Sequence, residues 1–468
     1  MVKCNEKKKV RGKSVFPVVL YVILTTLIRQ GVVMYYRSVV EKLNSWKAQP
    51  ARKPILLDGA RQTGKTYLLS ELFGSSFDNV VILDFLENPE FSLIFEGKKT
   101  PQYLVEQIEI SLDVEFNPKT DLLILDEIGE CQSAVDSLKY FAQKAPEMYV
   151  CASGSNIGLL NSFPVGKVVG VEMHPMSFEE FLLASGSSVL VEAWRRREES
   201  PALHVKLFQM LKDYYYVGGM PEAVSVWFGE GSLRDKILAV SQVHKDLFDG
   251  YVRDFGKYAT VGSKVNAAHI ESVFRNIPLQ LRTNVDGSVS RYRFKDVIPK
   301  KNRYKELSGP IDWLVKTHLV SKNFIVEIPA TPLSSNSEPN IFKLFLFDVG
   351  ILGHMLNLKY ADHQDQEYSY KGYVVENFVQ NEMLVTGYKP TYAWESGKAQ
   401  IEFIYVKGDG SFVPVEVKSG TRTQAKSLSV YRTKYQPKLS VKFIGGTGSK
   451  NDDLYVLPLY YASHLPDL

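Results

Sequence analysis

Residues 59 to 66 read Gly59-Ala60-Arg61-Gln62-Thr63-Gly64-Lys65-Thr66, with two glycines, a lysine and a hydroxyl at the spacing GxxxxGK[ST]. The glycines let the backbone curl until successive N–H groups point at a phosphate. Lys65 then brings charge to the β and γ oxygens, and the Thr66 hydroxyl is of the type that ligates Mg²⁺. The chemistry is binding of ATP or GTP. A second pair, Asp126-Glu127, ends the apolar run Leu122 to Leu125. There Asp126 would hold Mg²⁺ through water and Glu127 would orient or activate the attacking water. Ser155 and Asn156 close another apolar run and either sense the γ-phosphate or make a strand-to-loop turn. Lys167, after Gly166, either reaches a neighbouring subunit's nucleotide or lies on the surface.

A separate set of residues near the C-terminus carries different chemistry. Glu402 and Glu416 lie on two strand-like runs joined by Gly408-Asp409-Gly410, a familiar hairpin loop. If Lys407 pairs with Ser411, Glu402 stands opposite Glu416, Lys418 stands opposite Gln400, and the period of two keeps all four on one face. Opposed carboxylates have Cβ atoms about 4.5 to 5.5 Å apart and repel. Solvent, a shared proton, a nearby lysine or a divalent cation must compensate. In a metal-dependent nuclease the two acids would hold Mg²⁺ while Lys418 stabilises developing charge.

The elements that position these residues follow from hydrophobic runs. Five short apolar segments, including Pro54 to Leu57, Val80 to Phe85 and Leu122 to Leu125, predict a doubly wound α/β parallel sheet with ligands at its carboxyl end. Residues 203 to 260 read as helices around Gly218-Gly219. The order helix, turn, helix, strand through residues 261 to 330 fits a winged helix. Beside it Lys295, Lys300, Lys301, Arg303 and Lys305 form a basic stretch that is either a solvated face or a nucleic-acid surface.

Composition sets the outer bounds. At 468 residues, 45% hydrophobic and 23% charged, the chain is a multi-unit globular protein. Its net charge of +4 is a property of the tail, since residues 1 to 13 hold six Lys/Arg and one Glu. Three cysteines without CxxC spacing give neither a disulfide framework nor a zinc cluster and point to a reducing cytoplasm. The run at residues 15 to 28 has 14 residues and ends at Arg29, so stable membrane insertion is not expected. Residues 1 to 33 read as an extension outside the fold.

Taken with PMSFEEFL (175 to 182), YYYVGGMPEAV (214 to 224), YVRDFGKYA (251 to 259), KLFLFDVGILGHML (343 to 356), YKGYVVENFVQNEM (370 to 383) and VPVEVKSG (413 to 420), GARQTGKT and LLILDEIGE resemble a known arrangement. It is that of the bacterial and archaeal AAA-type P-loop ATPases fused to a C-terminal domain of unknown function with a PD-(D/E)xK nuclease-like core. The resemblance implies an ATPase core at 34 to 182, a helical lid at 183 to 260, a winged-helix-like domain at 261 to 330 and a restriction-endonuclease-like α/β domain at 331 to 468. It implies ATP and Mg²⁺ as cofactors, homo-oligomers, and Glu376 as an upstream metal-binding acid beside Glu402 and Glu416. This chain has Lys167 where the family commonly has Arg, and Glu402 where it usually has Asp. Three functions remain open: an ATPase controlling its attached domains on nucleic acid (DNA or RNA) or a protein partner, an ATP-regulated nuclease, and a nucleotide-gated protein-interaction switch.

Overall fold

The computed structural model describes residues 35–160, 162–258, 266–283, 291–365, 371–420, 426–451 and 453–468. The chain divides into two compact units, Met1–Tyr36 and Arg37–Leu468, and the second is described below. The expected N-terminal extension at 1 to 33, with its apolar run and Cys4, lies outside the described residues.

The apolar runs form strands β1 (Ile55–Asp58), β2 (Val80–Asp84), β3 (Leu122–Asp126), β4 (Tyr149–Gly154) and β5 (Val169–Glu172). They make a five-stranded sheet in the order β2-β3-β4-β1-β5, with every pairing parallel. Alternation along the strands feeds two cores. Leu123, Leu125, Leu83 and Val150 pack with Leu104 and Ile108 of helix Pro101–Leu112 and with Leu138 and Phe141 of helix Gln132–Lys144. On the opposite face Ile55, Leu57, Leu122 and Ile124 pack with Leu43 and Trp46 of helix Val39–Lys47 and with Leu68, Leu69 and Phe73. Helices on both faces are why β3 is apolar at each position until its final aspartate.

Helices Phe178–Ala184, Ser188–Arg195, Pro201–Val217, Pro221–Phe228 and Leu233–Tyr258 follow. The turn between the third and fourth needs glycine. Gly218 has φ +71° and ψ −166°, a region almost closed to other residues, and a Cβ there would strike the Asp348 carboxylate. That carboxylate is buried and accepts from Gly219 N at 2.7 Å and Ile351 N at 2.9 Å.

The middle segment keeps the expected order, with helix Ala267–Asn276, helix Tyr304–Lys316 and then β6 (Val320–Val326). Its strand does not stop at a domain edge, however. β6 pairs antiparallel with β7 (Ser337–Leu346) and parallel with β8 (Thr391–Ser396), which pairs in turn with β9 (Ala399–Ile401). A boundary at 330 therefore cuts through a four-stranded sheet of order β7-β6-β8-β9. The physical reason is that β6 is an internal strand, so its backbone groups need partners on both sides.

A third sheet contains β10 (Phe403–Val406), β11 (Phe412–Val417), β12 (Ser440–Ile444), β13 (Ser449–Lys450) and β14 (Leu454–Pro458), in the order β10-β11-β12-β14-β13. Phe403 pairs with Val415 and Val406 with Phe412 across the turn, the register that the Lys407–Ser411 pairing predicts. Lys407 N donates to Ser411 O at 3.0 Å. Glu402 lies between β9 and β10, at the point where the chain passes from one sheet to the next. For this reason Gln400 pairs with Glu395 rather than standing opposite Lys418. Among the described residues no helix is long and apolar enough to cross a membrane.

Candidate functional site

The loop after β1 reaches the carboxyl end of the parallel sheet, where β3 delivers Asp126 and Glu127 and β4 delivers Ser155. Parallel pairing puts these ends together, because each strand must run the same way through the sheet. Gly64 holds φ +89° and Gln62 φ +61°, which curls the loop. Thr63 is buried and its hydroxyl donates to Ala60 O at 2.9 Å. Lys65 begins a helical segment that widens into π-helical winding over Leu68–Phe73.

The side chains form one connected set. The Lys65 ammonium is buried and donates to Gly59 O at 3.0 Å and Ala60 O at 2.9 Å. Thr66 Oγ1 donates to Asp126 Oδ2 at 2.5 Å, and Ser153 Oγ donates to Asp126 Oδ1. Ser155 donates to Glu127 Oε2 from its backbone N at 3.4 Å and its hydroxyl at 3.3 Å. Burial pushes the Glu127 pKa up, opposed by the Lys65 charge. Burial likewise pulls Lys65 down, opposed by Glu127, Asp58 and Asp126.

Two predicted residues sit elsewhere in the arrangement. Asn156 opens the short turn Ile157–Leu159, with Leu159 N donating to Asn156 O at 2.9 Å. Lys167 lies in the turn before β5, whose first residue Val169 pairs with Ile55 at the start of β1. That is the end of the sheet remote from the phosphate loop in the same chain.

Sequence reasoning missed the residues that brace the loop from a distance. Arg37 donates to Thr63 O at 2.7 Å while pairing with Glu180 at 3.1 Å. Glu180 caps its own helix in a reciprocal arrangement with Ser177. Asp58, directly before Gly59, receives His318 Nε2 at 2.9 Å, and the other ring nitrogen reaches Glu172 Oε1 at 3.0 Å. Burial would lower the His318 pKa, but its hydrogen bonds to Asp58 and Glu172 outweigh this and raise it to about 9. From helix Leu233–Tyr258, Asp254 pairs with Arg61 at 2.5 Å, and Tyr251 OH donates to Arg61 O at 3.1 Å. The only sequence signal was the presence of Tyr251 and Asp254 in YVRDF.

The C-terminal acids do converge, but on lysines. Glu376 is buried within helix Lys371–Val385 rather than solvated, and Lys343 from β7 pairs with it at 3.2 Å. Lys418 Nζ lies 3.4 Å from Glu402 Oε1 and 3.2 Å from Glu416 Oε1. Val417 N donates to Glu402 Oε2 at 2.9 Å. Buried Lys442 stands beside Glu416 in the β11–β12 register. Burial lowers the Lys418 pKa, yet the charges of Glu402 and Glu416 prevail and raise it.

These contacts decide how the donor set suits a divalent ion. Both Glu402 oxygens and Glu376 Oε2 are engaged, which leaves Glu416 Oε2 as a buried oxygen without a hydrogen-bond partner. Among the described residues no group of three or more His, Cys, Asp or Glu could hold a metal ion. Lys343 pairs with Glu376 and Lys418 bridges Glu402 and Glu416, so as arranged here this donor set does not fit Mg²⁺. The signal in the sequence was Lys343 itself, a lysine inside the otherwise apolar run IFKLFLF.

Comparison with known proteins agrees with the first site. An AAA domain family matches residues 51–182. Two families described as Domain of unknown function (DUF8612) and Domain of unknown function (DUF4143) match residues 208–362 and 371–461. The chain thus carries a P-loop ATPase-like AAA domain toward its N-terminus, followed by two domains of unknown function. No curated protein matches it. The solved structure of C. elegans PCH-2 is similar at 18% identity over 46% of this chain and 70% of that chain, with a TM-score of 0.28.

Proposed function

We propose that the protein binds and hydrolyses ATP and uses the cycle to control its middle and C-terminal segments. The observation that supports this most is the convergence of Lys65, Thr66, Asp126 and Glu127 at one end of the parallel sheet. Thr66 and Asp126 are a fitting oxygen donor pair for Mg²⁺, which when bound supplies positive charge to the phosphate oxygens. The curled backbone of residues 59 to 64 binds the phosphates through its N–H groups. Lys65 exchanges its two backbone carbonyl acceptors for phosphate oxygens. Glu127, oriented by Ser155, accepts a proton from the attacking water at its carboxylate.

The target in this reading is nucleic acid. Lys295, Lys300, Arg303 and Lys305 are exposed at and before the start of helix Tyr304–Lys316, where they would meet a phosphate backbone. ATP turnover is measured with Mg²⁺, with and without duplex DNA or RNA, for the wild type, Lys65→Ala and Glu127→Gln. Lys65→Ala loses ATP binding. Glu127→Gln keeps binding and loses roughly 10²- to 10⁴-fold in rate. Wild type that binds no ATP, or Glu127→Gln at the wild-type rate, refutes the ATPase. A protein that hydrolyses ATP yet neither binds nor responds to nucleic acid is instead a switch acting on proteins.

A further inference from the structure

The phosphate loop is tied to helix Leu233–Tyr258 through its arginine, Arg61. Tyr251 and Asp254 are three apart on helix Leu233–Tyr258 and therefore share a face. Both of them address Arg61, Tyr251 through the backbone carbonyl at 3.1 Å and Asp254 through the guanidinium at 2.5 Å. The same guanidinium donates from Nε to Ser155 Oγ at 3.1 Å, and Ser155 holds Glu127. A continuous polar path thus runs from Glu127 through Ser155 and Arg61 to Asp254.

The path continues away from the loop. The Tyr251 ring packs edge-on against Phe347 with centroids 5.5 Å apart, and Phe347 precedes Asp348, the buried cap of helix Val349–Met355. Asp348 in turn holds Gly219. One face of helix Leu233–Tyr258 therefore touches the phosphate loop, while Tyr251 on that face also reaches the junction at Asp348.

We propose that Arg61 and Asp254 form the relay by which nucleotide occupancy of the loop is read by helix Leu233–Tyr258 and passed through Tyr251 and Phe347 to the Asp348 junction. The proposal rests on the ATPase reading given above. The reason is competition for one cation. Arg61 lies close enough to Lys65 and Glu127 to act on both their charges, so a polyphosphate in the loop competes with Asp254 for the guanidinium. When the phosphate wins, the helix loses its charged tether, and the face carrying Tyr251 is released with it. Asp254 is a positioning residue in this scheme, acting through Arg61.

The test uses the full chain and a fluorescent ATP analogue with Mg²⁺, together with amide hydrogen exchange at residues 251 to 258 and 347 to 355 with and without ATP. Asp254→Asn removes the competing charge and keeps the volume at a partly exposed position. It is expected to bind nucleotide on the order of tenfold tighter and to lose the ATP-dependent change in exchange. Tyr251→Phe keeps the ring on Phe347 and removes only the hydrogen bond to Arg61. It keeps near-normal affinity with a weakened exchange response at residues 347 to 355, and Asp254→Glu restores both behaviours. Wild type that binds ATP while Asp254→Asn and Tyr251→Phe match it in affinity and exchange overturns the relay and leaves the ATPase standing. Wild type that binds no ATP overturns both.

Discussion

Replacing His318 by Asn should change how stability depends on pH, and the size of the change follows from the clasp between Asp58 and Glu172. His318 sits at φ +60°, a conformation that histidine and asparagine both tolerate, so the exchange adds little backbone strain. The groups bonded to the ring are Asp58 and Glu172, and His174 and Lys389 approach Glu172 beside it. His174, lowered by burial to about 4, stays neutral through the window of interest. The imidazolium of His318 has its pKa raised from 6.5 to about 9. At about 1.36 kcal/mol per pH unit, that is about 3 kcal/mol of stabilisation. Glu172 is lowered by the same interaction, so the energy is counted once. Because the folded-state value lies above the unfolded one, the stabilisation is complete below about pH 6.5 and is lost as pH rises through about 9. Urea unfolding of wild type and His318→Asn at about pH 6, 8 and 10 measures the difference, with all other titrating groups common to both proteins. A gap that narrows by about 3 kcal/mol supports the clasp. A gap constant to within about 0.5 kcal/mol shows that the histidine is not charged there and refutes the reasoning.

Two further perturbations probe the elements around the sites. Lys343→Met leaves Glu376 buried without its ammonium partner and costs about 3 to 5 kcal/mol in denaturant unfolding, whereas Lys343→Met with Glu376→Gln recovers most of that loss. A single variant as stable as wild type would show that the pair is not closed in solution. Gly218→Ala costs about 1 to 3 kcal/mol in backbone strain alone, before displacement of Asp348. Equal urea midpoints for that variant and wild type would contradict the geometry of the turn.

The parts of the fold legible in the sequence are those set by neighbours along the chain. The phosphate loop could be read because its glycines, lysine and threonine act within eight residues, in a strand-loop-helix context. The central strands β1, β3 and β4 of the parallel sheet were visible as apolar runs because they are covered on both faces. The hairpin register from Phe403 to Val415 followed from the Gly408-Asp409-Gly410 turn, since a short loop fixes which residues pair. The same count overreached at Gln400, where the chain leaves one sheet for another, a change that no local rule signals.

What the sequence by itself determined, then, is the phosphate-loop motif and the strands that present it, because both arise from short-range spacing and hydrophobic periodicity. Only the tertiary structure decided which distant charge answers each of these groups. Asp254 meets Arg61, His318 joins Asp58 to Glu172, and Lys343 neutralises Glu376 across separations along the chain that carry no periodic signal. Burial makes an unpaired charge costly, so the packed chain must supply a partner, but the choice of partner depends on how helices and sheets come together.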